Sequence, residues 1–348
     1  MPDAITTRIE RRGDDGGFTL AELMVAMSVT LIVLAGAFEV VQQAGRASAL
    51  AASTSDVNQN LRVAMNVVIR DLIQAGEGDY GLRTGVSIPS GDGVDLIVRP
   101  GPEGADWHFP AEYTVLPAIS PASGIGVQIN GVSTDVLTLL FEDRRLDFAG
   151  VIPNIPANGS SMNFQNQIEI DDEAIGIKEG DLLRFGSGAM QEVTSVAGNT
   201  VHFDEDAASR LNQRDAPQGS VMALQGGGNN FPDLPVSRIY MITYYITVGT
   251  SGLPQLVRRV NFGDERVVAV GVENLQLTWD LVDGVDNPTN VETFGGDLAE
   301  GQIRKANLYM AARANTAVAG ASQPARTSLT TQVSLRSMAF VSRYDLEP

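Results

Sequence analysis

The stretch GDDGGFTLAELMVAMSVTLIVLAGAFEVV, residues 13–41, sets one carboxylate, Glu22, inside an otherwise apolar run from Phe18 to Phe38. An ionised group in hydrocarbon costs about 2.5–3.5 kcal/mol near a helix centre and less near an end. Such a group needs a cation. No lysine or arginine lies between Phe18 and Arg46, so the cation must come from elsewhere. Cleavage between Gly17 and Phe18 would supply one as a new α-amine at Phe18. On its own chain that amine lies a turn from Glu22. On an axially shifted neighbour it could meet Glu22 directly. Two charges then neutralise each other only when chains pack side by side, which makes Glu22 a candidate assembly contact.

The rest of the chain offers little for catalysis, and no enzyme activity and no cofactor are expected. The two histidines, His108 in ADWHFP and His202 in NTVHFDED, are far apart in sequence and stand beside aromatic residues, as packed or surface histidines do. Asp204, Glu205 and Asp206, and Asp283 with Asp286, lack the regular oxygen-ligand spacing of a calcium loop and read as solvated acidic turns. The triple glycine 226–228 is not followed by the Lys-Ser/Thr of a phosphate loop. There is no G-x-S-x-G elbow. Cysteine is absent, which excludes disulfides and thiolate metal sites. A net charge of −18 gives a nucleic-acid backbone no electrostatic attraction, so no such partner is expected.

The elements that must position Glu22 follow from the pattern around it. Phe18–Phe38 is long enough to span a hydrocarbon core as a helix of roughly 30 Å. It exceeds the 7–15 apolar residues of a cleavable secretory signal, whose exit site follows the run, whereas the expected cut here lies before it. Apart from Pro2 the first proline is Pro89, and no strong turn precedes Gly76. Beyond the apolar run, Val57, Leu61, Ala64, Met65, Val68 and Leu72 recur at three and four residues. Asn58, Arg62, Asn66, Arg70 and Gln74 fall on another face. These signs predict one helix over 18–76, with 18–41 in the membrane and the later stripe on a globular domain. Gly76 and Gly78 suit its end, and Gly36 and Gly45 are candidate soft points.

From Val86 onward the period changes to two. STDVLTLLFED reads as a strand buried on both faces. SRIYMITYYITVG, LPQLVRRVNFG, RVVAVGVENLQLTWDLVDG, IRKANLYMAARAN and TSLTTQVSLRSMAFVSRY read as further strands. The expected fold is α+β: a long N-terminal helix packed on an antiparallel β-rich domain over 77–348. A small β-subdomain, holding three short strands, is expected as an insertion around 150–232.

Gly17, Phe18, Thr19, Leu20, Glu22 and Leu23, followed by the apolar run, resemble the prepilin cleavage and methylation motif of type IV pilins and pseudopilins. The resemblance implies a leader over 1–17, cleavage after Gly17 by a prepilin peptidase, and methylation of the Phe18 amine. The leader has three arginines, which favour a cytoplasmic side, but Asp14 and Asp15 close to the cut depart from the usual pattern. NLRVAMNVVIRDLIQAG, STDVLTLLF, EGDLLRF with MQEVTSV, LPQLVRRV, VAVGVENLQLTWDL and TTQVSLRSM follow the order expected of PilW-like minor pilins. Members of that family often carry cysteines, and this chain has none.

By resemblance the chain is a single-pass inner-membrane protein with a periplasmic C-terminal domain. It would enter a pilus, or the complex that primes one, through its helix. The implied partners are other minor pilins, the major pilin, the inner-membrane assembly platform and membrane lipid. The subunit that caps such tips often lacks the glutamate found here at Glu22, so another subunit is expected ahead of this one. Two alternatives remain open: a J-type pseudopilin of type II secretion, usually shorter, and a membrane-tethered periplasmic binding module whose helix is only an anchor.

Overall fold

The structure is a computed structural model that describes residues 17–78, 80–143, 167–169, 176–186, 188–198, 200–205, 207–213, 216–219, 236–295 and 298–338. The expected leader lies outside the described residues except for Gly17, as do 150–166, 170–175 and 220–232 of the expected insertion.

Helix α1 (Leu20–Gln74) runs 55 residues without a break, including at Gly36 and Gly45. At 1.5 Å per residue it is about 80 Å long. Val57, Leu61, Ala64, Met65, Val68 and Leu72 are buried, the stripe marked by the three-and-four spacing, and Asp71 is buried among them. Ala75 leaves helical geometry, and Gly76 takes a positive φ of 71° and donates its N–H to the Leu140 carbonyl at 2.8 Å. The helix therefore ends by feeding the chain straight onto a strand.

Along the chain follow α2 (Tyr80–Thr84), β1 (Val86–Ser87), β2 (Val115–Leu116), β3 (Ile119–Ala122), β4 (Gln128–Ile129), β5 (Val132–Ser133), β6 (Val136–Glu142) and β7 (Gln167–Glu169). Next come β8 (Leu182–Phe185), β9 (Met190–Glu192), β10 (Ser195–Ala197), β11 (Thr200–His202), β12 (Val236–Val248) and β13 (Pro254–Val260). The last strands are β14 (Glu265–Val270), β15 (Val272–Leu281), β16 (Ile303–Arg313) and β17 (Arg326–Ser334).

The main sheet has the order β14-β13-β12-β6-β3, with β8 paired to the first part of β12 and β9 to β8. A second sheet has the order β15-β16-β17. Both are antiparallel, the α+β architecture expected from the pattern. Gly271 links them with a φ of 85°, its N–H bonded to the Pro254 carbonyl at 2.7 Å and its carbonyl accepting from Arg313 at 2.9 Å. A side chain there would collide with the Arg313 carbonyl.

The helix stripe packs on both sheets at once. Its partners include Leu139 on β6, Tyr244 on β12, Leu277 and Trp279 on β15, and Leu308 on β16. The other face of the main sheet is covered by chain segments over 82–116, through Leu82, Val86, Ile88, Phe109 and Leu116 against Leu140, Ile239 and Met241. Strand β6 is thus covered on both sides, and Val136 to Leu140 are all buried.

The middle of the chain differs in part from the pattern. Four short strands, β8 to β11, replace the three read there, and β8 with β9 extends the main sheet. Strands β10, β11 and β7 form their own three-stranded sheet. Arg238 on β12 ties this region down by bonding Asp143 and, at 3.0 Å, Asp181. The last expected strand stops at Ser334 and gives way to a 3-10 turn, Arg336–Met338.

Candidate assembly site

Gly17 and Phe18 precede the helix in non-helical chain; among the described residues nothing lies within 4 Å of a Cβ placed on Gly17, and Phe18 is 87% exposed. A peptide bond outside regular structure is open to a protease in a way a helical one is not. Thr19 is the N-cap, in extended conformation. Its hydroxyl accepts from the Glu22 N–H at 3.2 Å, and the Glu22 carboxylate accepts from the Thr19 N–H at 3.0 Å. The Thr19 hydroxyl also donates to that carboxylate at 3.0 Å. This is a reciprocal capping box, which satisfies two otherwise orphaned donors at a helix start.

The capping box gives Glu22 a hydrogen-bonding partner in its own chain, where it was expected to lack a cation. Its carboxylate is held by Thr19, so an uncharged local role accounts for part of its presence. The signal was in the sequence: T-x-x-E immediately before an apolar run is a helix-start signature. The cap leaves the carboxylate's charge unneutralised, because Thr19 brings hydrogen bonds and no cation. Leu20 and Leu23 open the helix; the Leu23 N–H bonds the Thr19 carbonyl at 3.2 Å, and both side chains are exposed.

Above the cap, Leu20 to Ala52 is exposed throughout, including Leu31, Ile32, Val33 and Leu34. By length and composition α1 can cross a membrane, and none of its most apolar window is buried within the protein. A soluble fold would bury such a surface, so this one is built to be covered by lipid or by other helices.

The far end of α1 is fixed by a charge that sequence reasoning passed over. Asp71 is buried, and its Oδ2 accepts from Arg258 Nε at 2.7 Å and from the Tyr244 hydroxyl at 2.6 Å. Burial, and then the Asp71 charge, push the Tyr244 hydroxyl well above the ordinary tyrosine range. A buried cation, Arg99, lies on the opposite face of the main sheet. It donates to the Ser120 carbonyl at 2.8 Å, Ser120 Oγ at 3.0 Å and Thr138 Oγ1 at 3.1 Å, and sits 4.4 Å from the Phe109 ring centre. Burial lowers its pKa to about 10, against the pull of Tyr113 and Glu300. These groups brace the platform on which the helix stands.

The remaining candidates do not converge. His108 bridges to Val98 near one sheet face, and His202 sits on β11. Asp283 accepts from Val285 and Asn287 N–H groups at 2.9 Å, which is a turn. Asp204 bonds Thr194, whereas Asp206 and the triple glycine lie outside the described residues. Among the described residues no three His, Asp or Glu side chains are grouped to hold a metal.

Residues 12–38 match the family described as the prokaryotic N-terminal methylation motif. Comparison with curated proteins and with solved structures gave no match. The motif, the apolar helix and the antiparallel domain it packs on support a type IV pilin-like protein. Such a motif points to processing by a prepilin peptidase, anchoring in a membrane and assembly with other pilins in a pilus or secretion system.

Proposed function

We propose that this chain is a PilW-like minor pilin with a structural role. Prepilin peptidase removes 1–17 and methylates Phe18; the domain from 77 onward faces the periplasm. The helix then carries the subunit into a type IV pilus or its priming complex. Glu22 pairs there with the Phe18-type amine of an adjacent pilin, and another subunit lies ahead of this one. The observation that carries the reading is the two-part helix. The second part of α1 is built into the domain core, whereas the first stands bare behind a capped Thr19–Glu22 start. The chain length and the inserted middle segment favour this family over the J-type pseudopilins.

Mass spectrometry of the mature chain, with fractionation of sheared pili, tests the proposal. A start at methylated Phe18 and recovery with pili are expected. An intact Met1 would leave only a tethered periplasmic module. Recovery with a secretion pseudopilus instead would move the chain to the J-type pseudopilins.

A further inference from the structure

Strand β17 is an outer strand of the second sheet and pairs with β16 over nine residues without a register shift. Just past its two ends the Ala314 N–H bonds the Ala325 carbonyl and the Leu335 N–H bonds the Arg304 carbonyl, both at 2.8 Å. Antiparallel strands bond at alternate residues, so the odd-numbered residues of β17 bond β16. The N–H and C=O groups of Arg326, Ser328, Thr330, Gln332 and Ser334 then point away from the sheet. Among the described residues none of these groups has a backbone partner. The same five side chains are exposed, whereas Leu329 and Val333 turn inward to the core under α1. No charge or proline lies between Thr327 and Leu335.

The other outer strands of the two larger sheets are protected. Strand β14 carries Glu265 and Arg266 and pairs through a register shift, β3 carries Pro121, and β9 has three residues. The free side of β15 is bonded by Asp135 and Val291. Charges, prolines, irregularities and covers are how natural edges avoid adding a foreign strand, and β17 has none of them along its length after Arg326.

We propose that the free edge of β17 receives one extended strand from a different pilin subunit, apolar on the side of α1 and polar on the other. A row of unpaired backbone groups is matched only by another extended backbone, and Leu329 and Val333 set which side of it is apolar. The inference rests on the pilin reading, which stands tethered neighbours parallel. Strand β17 follows α1 from Asn58, which accepts from Thr327 Oγ1 at 3.0 Å, toward the helix end at Gly76, where Met338 packs. Its edge therefore runs alongside such neighbours. A second copy of this chain fits poorly. Turned about the sheet normal, its β17 pairs antiparallel but its α1 points the opposite way. Turned about the strand axis, its α1 stays parallel but its Leu329 and Val333 lie on the polar side of this sheet. Its other outer strands are protected, so the added strand comes from another subunit.

Amide exchange resolved to single residues compares the detergent-solubilised full chain with sheared pili. In the isolated chain the amides of Ser328, Thr330, Gln332 and Ser334 should exchange fast and those of Leu329, Thr331 and Val333 slowly. In pili both rows should be slow. Thr330→Pro deletes one outward N–H, which an edge strand tolerates, so its Tm should stay near that of the wild type. Its recovery in pili should fall about fivefold, the scale of one lost hydrogen bond, whereas Thr330→Ala, which keeps the N–H, should be recovered as the wild type is. Slow even-numbered amides in the isolated chain overturn the proposal, because the chain then covers its own edge. So do fast ones in pili, or wild-type recovery of Thr330→Pro. The chain has no cysteine, so disulfide-linked dimers of Thr330→Cys in pili would place a second β17 on the edge and overturn it too. The N-terminus of the same samples separates the two levels. A chain not starting at Phe18 removes the pilin reading itself, whereas a correct start with fast even-numbered amides in pili removes only this contact.

Discussion

Removing the Asp71 carboxylate should loosen the helix from its platform by a calculable amount. In Asp71→Ala, Arg258 loses its 2.7 Å ion pair and the Tyr244 hydroxyl loses its 2.6 Å acceptor. Breaking one partner of a fully buried pair costs about 3–5 kcal/mol, because the other charge is left uncompensated. The Asp71 side chain is 2% exposed but that of Arg258 is 20% exposed, so water recovers part of the loss. The lower end, about 3 kcal/mol, is the expected cost. For a domain of this size that corresponds to a fall in Tm of about 6–12 °C. Thermal and urea unfolding of the detergent-solubilised full chain, followed by circular dichroism, measures it. Asp71→Leu combined with Arg258→Met removes both charges together and should recover most of the loss, since an apolar replacement of a buried pair is often neutral. A Tm within about 2 °C of the wild type for Asp71→Ala, or a double variant no better than the single, would show that the Asp71–Arg258 contact does not hold the helix on the sheets.

Three further outcomes follow from other residues. Arg99→Lys should cost about 2 kcal/mol in urea unfolding, because a compact ammonium cannot serve the Ser120 carbonyl, Ser120 Oγ and Thr138 Oγ1 together. Burial raises the Glu192 pKa above the ordinary 4.5, despite the bonds from Ser209. A carboxylate so raised holds more protons folded than unfolded, so its contribution falls as pH climbs from about 4.5 through the folded-state value. Glu192→Gln keeps an acceptor for the Ser209 N–H, and should flatten that fall and leave the protein more stable than wild type at neutral pH. Thr19→Ala should weaken the start of α1 by about 1 kcal/mol, seen as faster amide exchange over 20–24 with no change near Val68.

The long helix, its buried stripe and the strands from β12 to β16 were legible because each is a long periodic segment whose pattern survives tertiary packing. Asp71 was not, although its place gives it away in hindsight. It falls three residues after Val68, inside the apolar stripe, where a carboxylate needs a buried cation. The adjacent Arg70 reaches it at 3.3 Å but is largely exposed, and its closer partner Arg258 lies nearly two hundred residues away, with no local pattern linking them. The pairing of β8 with β12 is hidden for the same reason, since four buried residues carry no period of their own. The cover over the second face of the main sheet comes from scattered residues such as Leu82, Ile88 and Phe109 among prolines and glycines, which read as loop. At the candidate site, the charge of Glu22 was legible and its cap was overlooked. The apolar surroundings drew the reasoning toward a missing cation and away from the threonine three residues earlier.

That oversight defines the most direct test, because cap and charge can be separated at Glu22. Glutamine can return the bond to the Thr19 N–H, so Glu22→Gln preserves the capping box and deletes only the charge. Glu22→Gln should enter the membrane and be cut before Phe18 as the wild type is. Its recovery in sheared pili should nevertheless fall about tenfold or more, as for a desolvated amine left without its counter-ion. Wild-type recovery of Glu22→Gln, with Glu22→Ala alone defective, would contradict it and reduce Glu22 to a helix cap.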